Sequence, residues 1–114
     1  MGAGDLRERL SFQKRAAIDD GFGNPVSGPF VEQFVVWGRI QYLKGGEGVQ
    51  AARLAGTQPV ILHVRASRQT RTISPDWRAV DARRGTIFNI TAAANMDERN
   101  VMIEILASSG EASG

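Results

Sequence analysis

Val31-Glu32-Gln33-Phe34-Val35-Val36-Trp37-Gly38-Arg39-Ile40-Gln41-Tyr42-Leu43 is the stretch whose reading decides the fold. β-branched and aromatic residues dominate it, as they do where side chains must pack on a pleated surface. Read with a period of two, Phe34, Val36, Gly38, Ile40 and Tyr42 share one face, and Val35, Trp37, Arg39, Gln41 and Leu43 share the other. Both faces are partly apolar. That predicts a strand covered on both sides, by the domain core on one and by a loop or a neighbouring subunit on the other. Gly38 in mid-strand predicts a bulge or a sharp bend.

The same period runs outward in both directions. Residues 9–18 read as a first strand with a short apolar side. Residues 59–67 read as another, with Val60, Leu62, Val64 and Ala66 opposite Ile61, His63 and Arg65. Residues 71–73 add an extended stub that stops at Ser74-Pro75, since the residue before a proline is pushed out of the helical region. Residues 77–82 and 86–93 form two arms around the tight turn Arg83-Arg84-Gly85. Asn95-Met96-Asp97-Glu98-Arg99 is a further polar turn, and residues 101–106 are the last strand. The small, polar segment 108–114 is expected to fray. About six short strands joined by turn-rich loops predict an all-β chain, a small antiparallel barrel or sandwich. Its 114 residues form a single domain, 1–114.

Two segments break the pattern. Residues 19–29, DDGFGNPVSGP, concentrate glycine, proline, aspartate and asparagine, the residues of turn chemistry. They predict a long loop, with Phe22 as a plug over a barrel end in preference to an exposed anchor. Residues 44–58, KGGEGVQAARLAGTQ, open with glycines and then favour one or two helical turns at VQAARLA. This reads as a mobile excursion between two strands, and loops of that length usually carry function.

Composition narrows the chemistry. The chain lacks cysteine, which removes disulfides, thiolate metal sites and a cysteine nucleophile together. One histidine, His63, does not build a histidine-rich metal cage; its place on the more polar face of its strand predicts a surface or interface residue. No catalytic arrangement stands out: His63 with Ser67 or Ser74 and Asp76 lacks a nucleophile elbow, and the run Gly45-Gly46-Glu47-Gly48 lacks the later glycine of a dinucleotide site. No cofactor and no enzymatic activity are expected. The apolar runs are too short to span a bilayer, and residues 1–10 have no signal core, so no membrane partner and assembly in the cytoplasm are expected. The net charge is +2, with six arginines (Arg65, Arg68, Arg71, Arg78, Arg83, Arg84) between residues 65 and 84 against Asp76 and Asp81. They predict a mild basic strand face, lighter than a dedicated nucleic-acid binder carries. The alternative function is an OB-like single-stranded nucleic-acid-binding domain, with Trp37, Tyr42, Trp77 and Phe88 as stacking rings.

Taken in order, the segments resemble the head–tail joining proteins of tailed bacteriophages, the stopper, head-closure or head–tail adaptor proteins, including their prophage and gene transfer agent versions. The resemblance rests on Gly4-Asp5-Leu6-Arg7-Glu8-Arg9-Leu10-Ser11-Phe12-Gln13-Lys14-Arg15, Asp20-Gly21-Phe22-Gly23-Asn24, Val36-Trp37-Gly38-Arg39-Ile40, Gly46-Glu47, Val64-Arg65, Arg84-Gly85, Phe88-Asn89-Ile90 and the 95–99 turn. It implies a small β-barrel with long loops at the neck of a virion or phage-like particle. It also implies a homo-oligomeric ring, hexameric or dodecameric, that sits between the portal or adaptor ring and the tail terminator or tail tube. Such a ring closes the channel for double-stranded DNA and docks the tail. On that reading Lys44, Glu47 and Arg53 belong to a channel loop, and Phe22, Val35, Trp37, Arg39 and Leu43 to a subunit or partner interface.

Overall fold

The computed structural model describes residues 6–19, 21–23, 25–96 and 101–110, without the side chains of residues 25, 27 and 93–96. Six strands appear in chain order, β1 (Glu8–Asp19), β2 (Pro25–Tyr42), β3 (Thr57–Arg65), β4 (Arg78–Asp81), β5 (Ile87–Met96) and β6 (Met102–Gly110), with one helix, α1 (Glu47–Leu54), between β2 and β3. Each strand pairs antiparallel with its neighbours in the order β1-β2-β3-β6-β5-β4, and the β1–β4 ladder closes the sheet into a barrel.

Alternation decides what lies inside. Leu10 and Phe12 from β1, Val60, Leu62 and Val64 from β3, Ala79 from β4, Phe88 and Ile90 from β5, and Ile103, Ile105 and Ala107 from β6 make one buried cluster. Phe34, Val36 and Ile40 of β2 lean on it, which confirms the inward face read from the sequence. Ile73 and Trp77 join the cluster from the connection before β4. Their neighbour Thr70 is buried in a 3-10 turn, Thr70–Thr72, where the extended stub was expected. Side-chain chemistry explains the difference: Thr70 Oγ1 donates to the Arg65 carbonyl at 2.8 Å and accepts from the Ser67 N–H at 2.8 Å, a local network that competes with a strand ladder.

The expected 19–29 loop is mostly strand. β2 starts at Pro25, which pairs with Asp19 at the end of β1, so both strands run into the segment expected to be loop. Asp19 Oδ1 accepts the N–H groups of Gly21 and Gly23 at 2.9 and 3.0 Å. The prolines are tolerated because Pro25 opens the strand and Pro29 lies in an irregularity, where Gly28 and Pro29 together face Ala16. A second irregularity leaves Gln33 as an extra residue between the Phe12–Phe34 and Gln13–Glu32 pairs. Bulges therefore sit at residues 28–29 and 33, and not at Gly38, which keeps register with both Glu8 and Val64.

Gly38 is needed for space. A β-carbon there would lie 2.6 Å from Leu10 Cδ1 and 3.0 Å from the His63 carbonyl oxygen. Gly38→Ala is expected to destabilise the barrel by about 1–3 kcal/mol, the usual cost of overpacking. Urea denaturation checks this, and an unchanged midpoint would mean that the barrel wall yields.

The remaining expectations fall close to the structure. The Arg83-Arg84-Gly85 turn is present, with Gly85 at φ 77°. It is held by buried Asp81, whose Oδ1 accepts the N–H groups of Arg83 and Arg84 at 2.9 and 3.2 Å. β5 runs on to Met96, so the end of the 95–99 turn lies outside the described residues. β6 continues to Gly110, three residues into the segment expected to fray, and residues 111–114 lie outside the described residues.

Candidate interaction surfaces

Two parts of the chain stand away from the barrel. The first is the far half of the β1–β2 hairpin. β4 reaches β1 only at Leu10–Gln13 and β3 reaches β2 only at Gly38–Tyr42, so residues 14–19 and 25–31 pair with each other alone. This two-stranded ribbon carries exposed Ile18, Val26 and Val31, with Phe22 88% exposed at its tip. Phe22 thus faces outward at the ribbon tip and does not plug a barrel end. At the base of the ribbon, Phe30 is sandwiched between the guanidinium groups of Arg15 and Arg78, 4.4 and 4.1 Å from its ring centre. Arg15 also donates to the Gly28 carbonyl at 3.2 Å, and Arg78 Nε to Gln13 Oε1 at 2.8 Å. An isolated ribbon is weakly stable in water, and these contacts stiffen the point where it leaves the barrel.

The second is the 44–58 excursion. The Leu43 N–H donates to the Pro59 carbonyl at 3.1 Å, and the Gln58 amide donates to both the Leu43 and Pro59 carbonyls at 2.7 and 2.8 Å. The excursion is therefore clasped at its root. α1 buries none of its residues, and Leu54 is 91% exposed. Glu47 in its first turn and Arg53 in its last suit the helix dipole. Lys44, Glu47 and Arg53, assigned from the resemblance to a channel loop, are all exposed on this one projection.

The five interface residues do not form one patch. Val35, Trp37 and Arg39 alternate along the outer face of β2, Leu43 follows its last residue, and Phe22 lies at the ribbon tip. Trp37 is exposed and lies under Arg9, whose guanidinium carbon is 5.1 Å from the ring centre. Beside Val35 and Trp37 opens a cleft of ≈ 870 Å³, walled on its other side by Arg65, Ser67 and Gln69 and ended by Leu6 and Arg7. Alternation along β2 pointed to Val35 and Trp37. The opposite wall has no sequence signal, because it comes from the end of β3 at Arg65 and from Ser67 and Gln69 in the connection after it.

The six arginines of residues 65–84 do not line a strand face. They are spread over the end of β3, the connection to β4, β4 itself and the 83–85 turn, where Arg84 Nη1 lies 3.6 Å from Asp81 and 3.9 Å from Glu8. Of the rings a single-strand binder would offer, Trp77 and Phe88 are buried in the core. The hypothetical triad is not assembled either. Ser67 engages Thr70, Ser74 bonds to Asp76, and His63 faces Gln41 and Glu104.

His63 is buried, contrary to its expected surface place. It lies on the outer side of β3, covered by flanking side chains, with Nε2 3.0 Å from Gln41 Oε1 and Nδ1 4.0 Å from Glu104 Oε1. Burial holds its pKa below the ordinary 6.5; Glu104 opposes the shift and Arg39 adds to it. The unfolded chain then takes up the proton more readily than the folded one. Stability is full above the unfolded value and falls as the pH drops from about 6.5 toward the lower folded pKa. Thermal melts of the native protein and His63→Gln over pH 5–8 check this: the variant should lack that acid-side loss.

The described residues thus form a closed barrel with two projections that bury little of their own surface. Residues 1–110 match the phage head completion protein family, and the chain belongs to that family. It is a structural component of a phage or phage-like particle. No curated protein matches the sequence. Among solved structures, a Shigella flexneri 2a protein determined in solution superposes with a TM-score of 0.72 at 20% identity, covering 100% of both chains. A chain in the virion of a native gene transfer agent particle superposes with a TM-score of 0.67 at 22% identity, covering 93% of this chain and 96% of that one. Both likenesses are of fold. No helix among the described residues is long and apolar enough to cross a membrane.

Proposed function

We propose that the protein assembles into a ring between the portal or adaptor ring and the tail, closes the DNA channel after packaging, and docks the tail. The observation that carries this reading is the pairing of a head completion family match with two separate projections on one rigid barrel. A closed ring needs heterologous contacts, in which different patches of neighbouring subunits meet. The ribbon with Phe22 suits one side of such a contact, and the outer face of β2 at Val35, Trp37 and Arg39 suits a different protein of the particle.

The excursion then lies toward the channel. Lys44 and Arg53 attract phosphate, while Glu47 keeps the attraction weak, as a channel through which DNA must slide requires. Double-stranded DNA is thus a passing partner, and the portal side and tail side supply the lasting ones. Removing residues 45–56 tests the gating role: filled heads should leak DNA. Heads that keep their DNA and join tails normally would overturn it. Electron microscopy of purified particles tests the ring itself.

A further inference from the structure

Residues 25–37 of β2 are laddered on one side only. β1 pairs with them, but the β2–β3 ladder ends at Gly38–Val64 and β3 itself at Arg65, after which the chain turns away toward β4. Among the described residues, then, no strand pairs with the side of this part of β2 turned from β1. Natural proteins guard such edges with lysine, proline or covering loops. The run Phe30-Val31-Glu32-Gln33-Phe34-Val35-Val36-Trp37 carries no lysine and no proline, and its interruptions are Glu32 and the irregularity at Gln33. Within it, the Gln33 amide nitrogen donates to the Val31 carbonyl at 2.9 Å, a side chain bonding the strand's own backbone.

What lies beside the edge is the ≈ 870 Å³ cleft. Val35, Val36 and Trp37 form the strand side, and Arg65, Ser67 and Gln69 form the opposite wall. Arg7 ends the cleft, and Arg9 sits on the Trp37 ring. No carboxylate is among the described residues that line it. The cleft thus offers an unpaired strand, an apolar floor and cationic walls together.

We infer that this edge is a strand-addition site for an extended, acidic segment of another protein of the particle. The incoming backbone pairs with residues 31–35, its apolar side chains lie on Val35 and Trp37, and its carboxylates face Arg65. In strand addition, main-chain hydrogen bonds supply affinity and alternate side chains supply specificity. Charge argues against a second copy as the occupant. A copy offering residues 14–19 of β1, beyond the β1–β4 ladder, would bring Lys14-Arg15 and set cations against cations. The site is present in a single subunit, so the inference does not depend on ring formation.

Trp37 is exposed beside the cleft and Trp77 is buried in the core, so a change in indole emission on binding is assigned to Trp37. The full chain is titrated with a synthetic peptide of alternating glutamate and valine, with its lysine–valine counterpart, and with the glutamate–valine peptide N-methylated at alternate amides. The acidic peptide should bind saturably and shift the Trp37 emission to the blue. The basic and N-methylated peptides should bind at least about tenfold more weakly, and Arg65→Glu should lose affinity for the acidic one by a similar factor. Equal binding of acidic and basic peptides, full binding of the N-methylated peptide, or no binding of any peptide overturns the inference. So does an emission shift that follows protein concentration without peptide, since a second copy would then fill the edge.

Discussion

Particles assembled with the protein lacking residues 45–56 should lose most of their packaged DNA, although the truncated protein folds as well as the full chain. The fold is spared because the excursion is sealed off at its root by Leu43, Gln58 and Pro59, and because α1 contributes nothing to the core. The deletion surrenders the bond from Thr57 Oγ1 to the Ala52 carbonyl, at 2.9 Å. A surface change of this kind should alter stability by no more than about 0.5–1 kcal/mol. Urea denaturation of the isolated protein establishes that point first. DNase protection of purified heads then measures retained DNA. Loss of DNA with intact stability assigns the excursion to gating. Retained DNA with normal tail joining removes it from that role, and loss of both stability and DNA would show that α1 supports the barrel after all.

Phe12→Ala should unfold the barrel at its seam. Phe12 is fully buried on β1, paired with Phe34 of β2 on one side and with Ala79 of β4 on the other. Its ring centre lies 5.6 Å from that of Phe34, which in turn lies 5.9 Å from Trp77. Ala79 is too small to fill the void, and the β-sheet wall cannot collapse into it without breaking ladders. The expected loss is about 3–5 kcal/mol, the range for phenylalanine truncated in a well-packed core. That is a large share of the roughly 5–15 kcal/mol that holds a domain together. The melting temperature should fall by roughly 10–25 °C. Calorimetry checks it. A loss below about 1 kcal/mol would mean that β1 and β4 do not close the sheet as tightly as their register indicates.

The two outcomes draw on different parts of the sequence, and those parts were legible to different degrees. Phe12, Val60, Leu62, Val64, Phe88, Ile103 and Ile105 could be assigned to strands from alternation, because neighbouring side chains of a strand point to opposite faces whatever the strand pairs with. The 44–58 excursion was legible too, since its glycines break the strand and its alanines, leucine and arginine favour a helix. The ribbon was not. Glycine and proline at 21–29 signal a turn, yet Pro25 and Pro29 occupy places where no ladder donor is needed, so the strand passes through them. His63 was misplaced because alternation reports which face a residue takes and not what Gln41 and Glu104 lay over it.

The interaction surfaces divide in the same way. Val35, Trp37 and Arg39 were found because they alternate, and the ordered segments from Leu6 to the last strand resemble the family to which the chain belongs. Arg65, Ser67 and Gln69 became part of a cleft only through the register of β3. So the chain by itself determined six strands, their inward faces, one short helix and the family, since each depends on local alternation, turn chemistry or ordered motifs. Tertiary structure decided where β3 stops along β2, which glycine must stay small, and which edge is left open. Those outcomes depend on pairing between residues far apart in the chain. One more pair in the β2–β3 ladder would begin to seal the edge at Trp37.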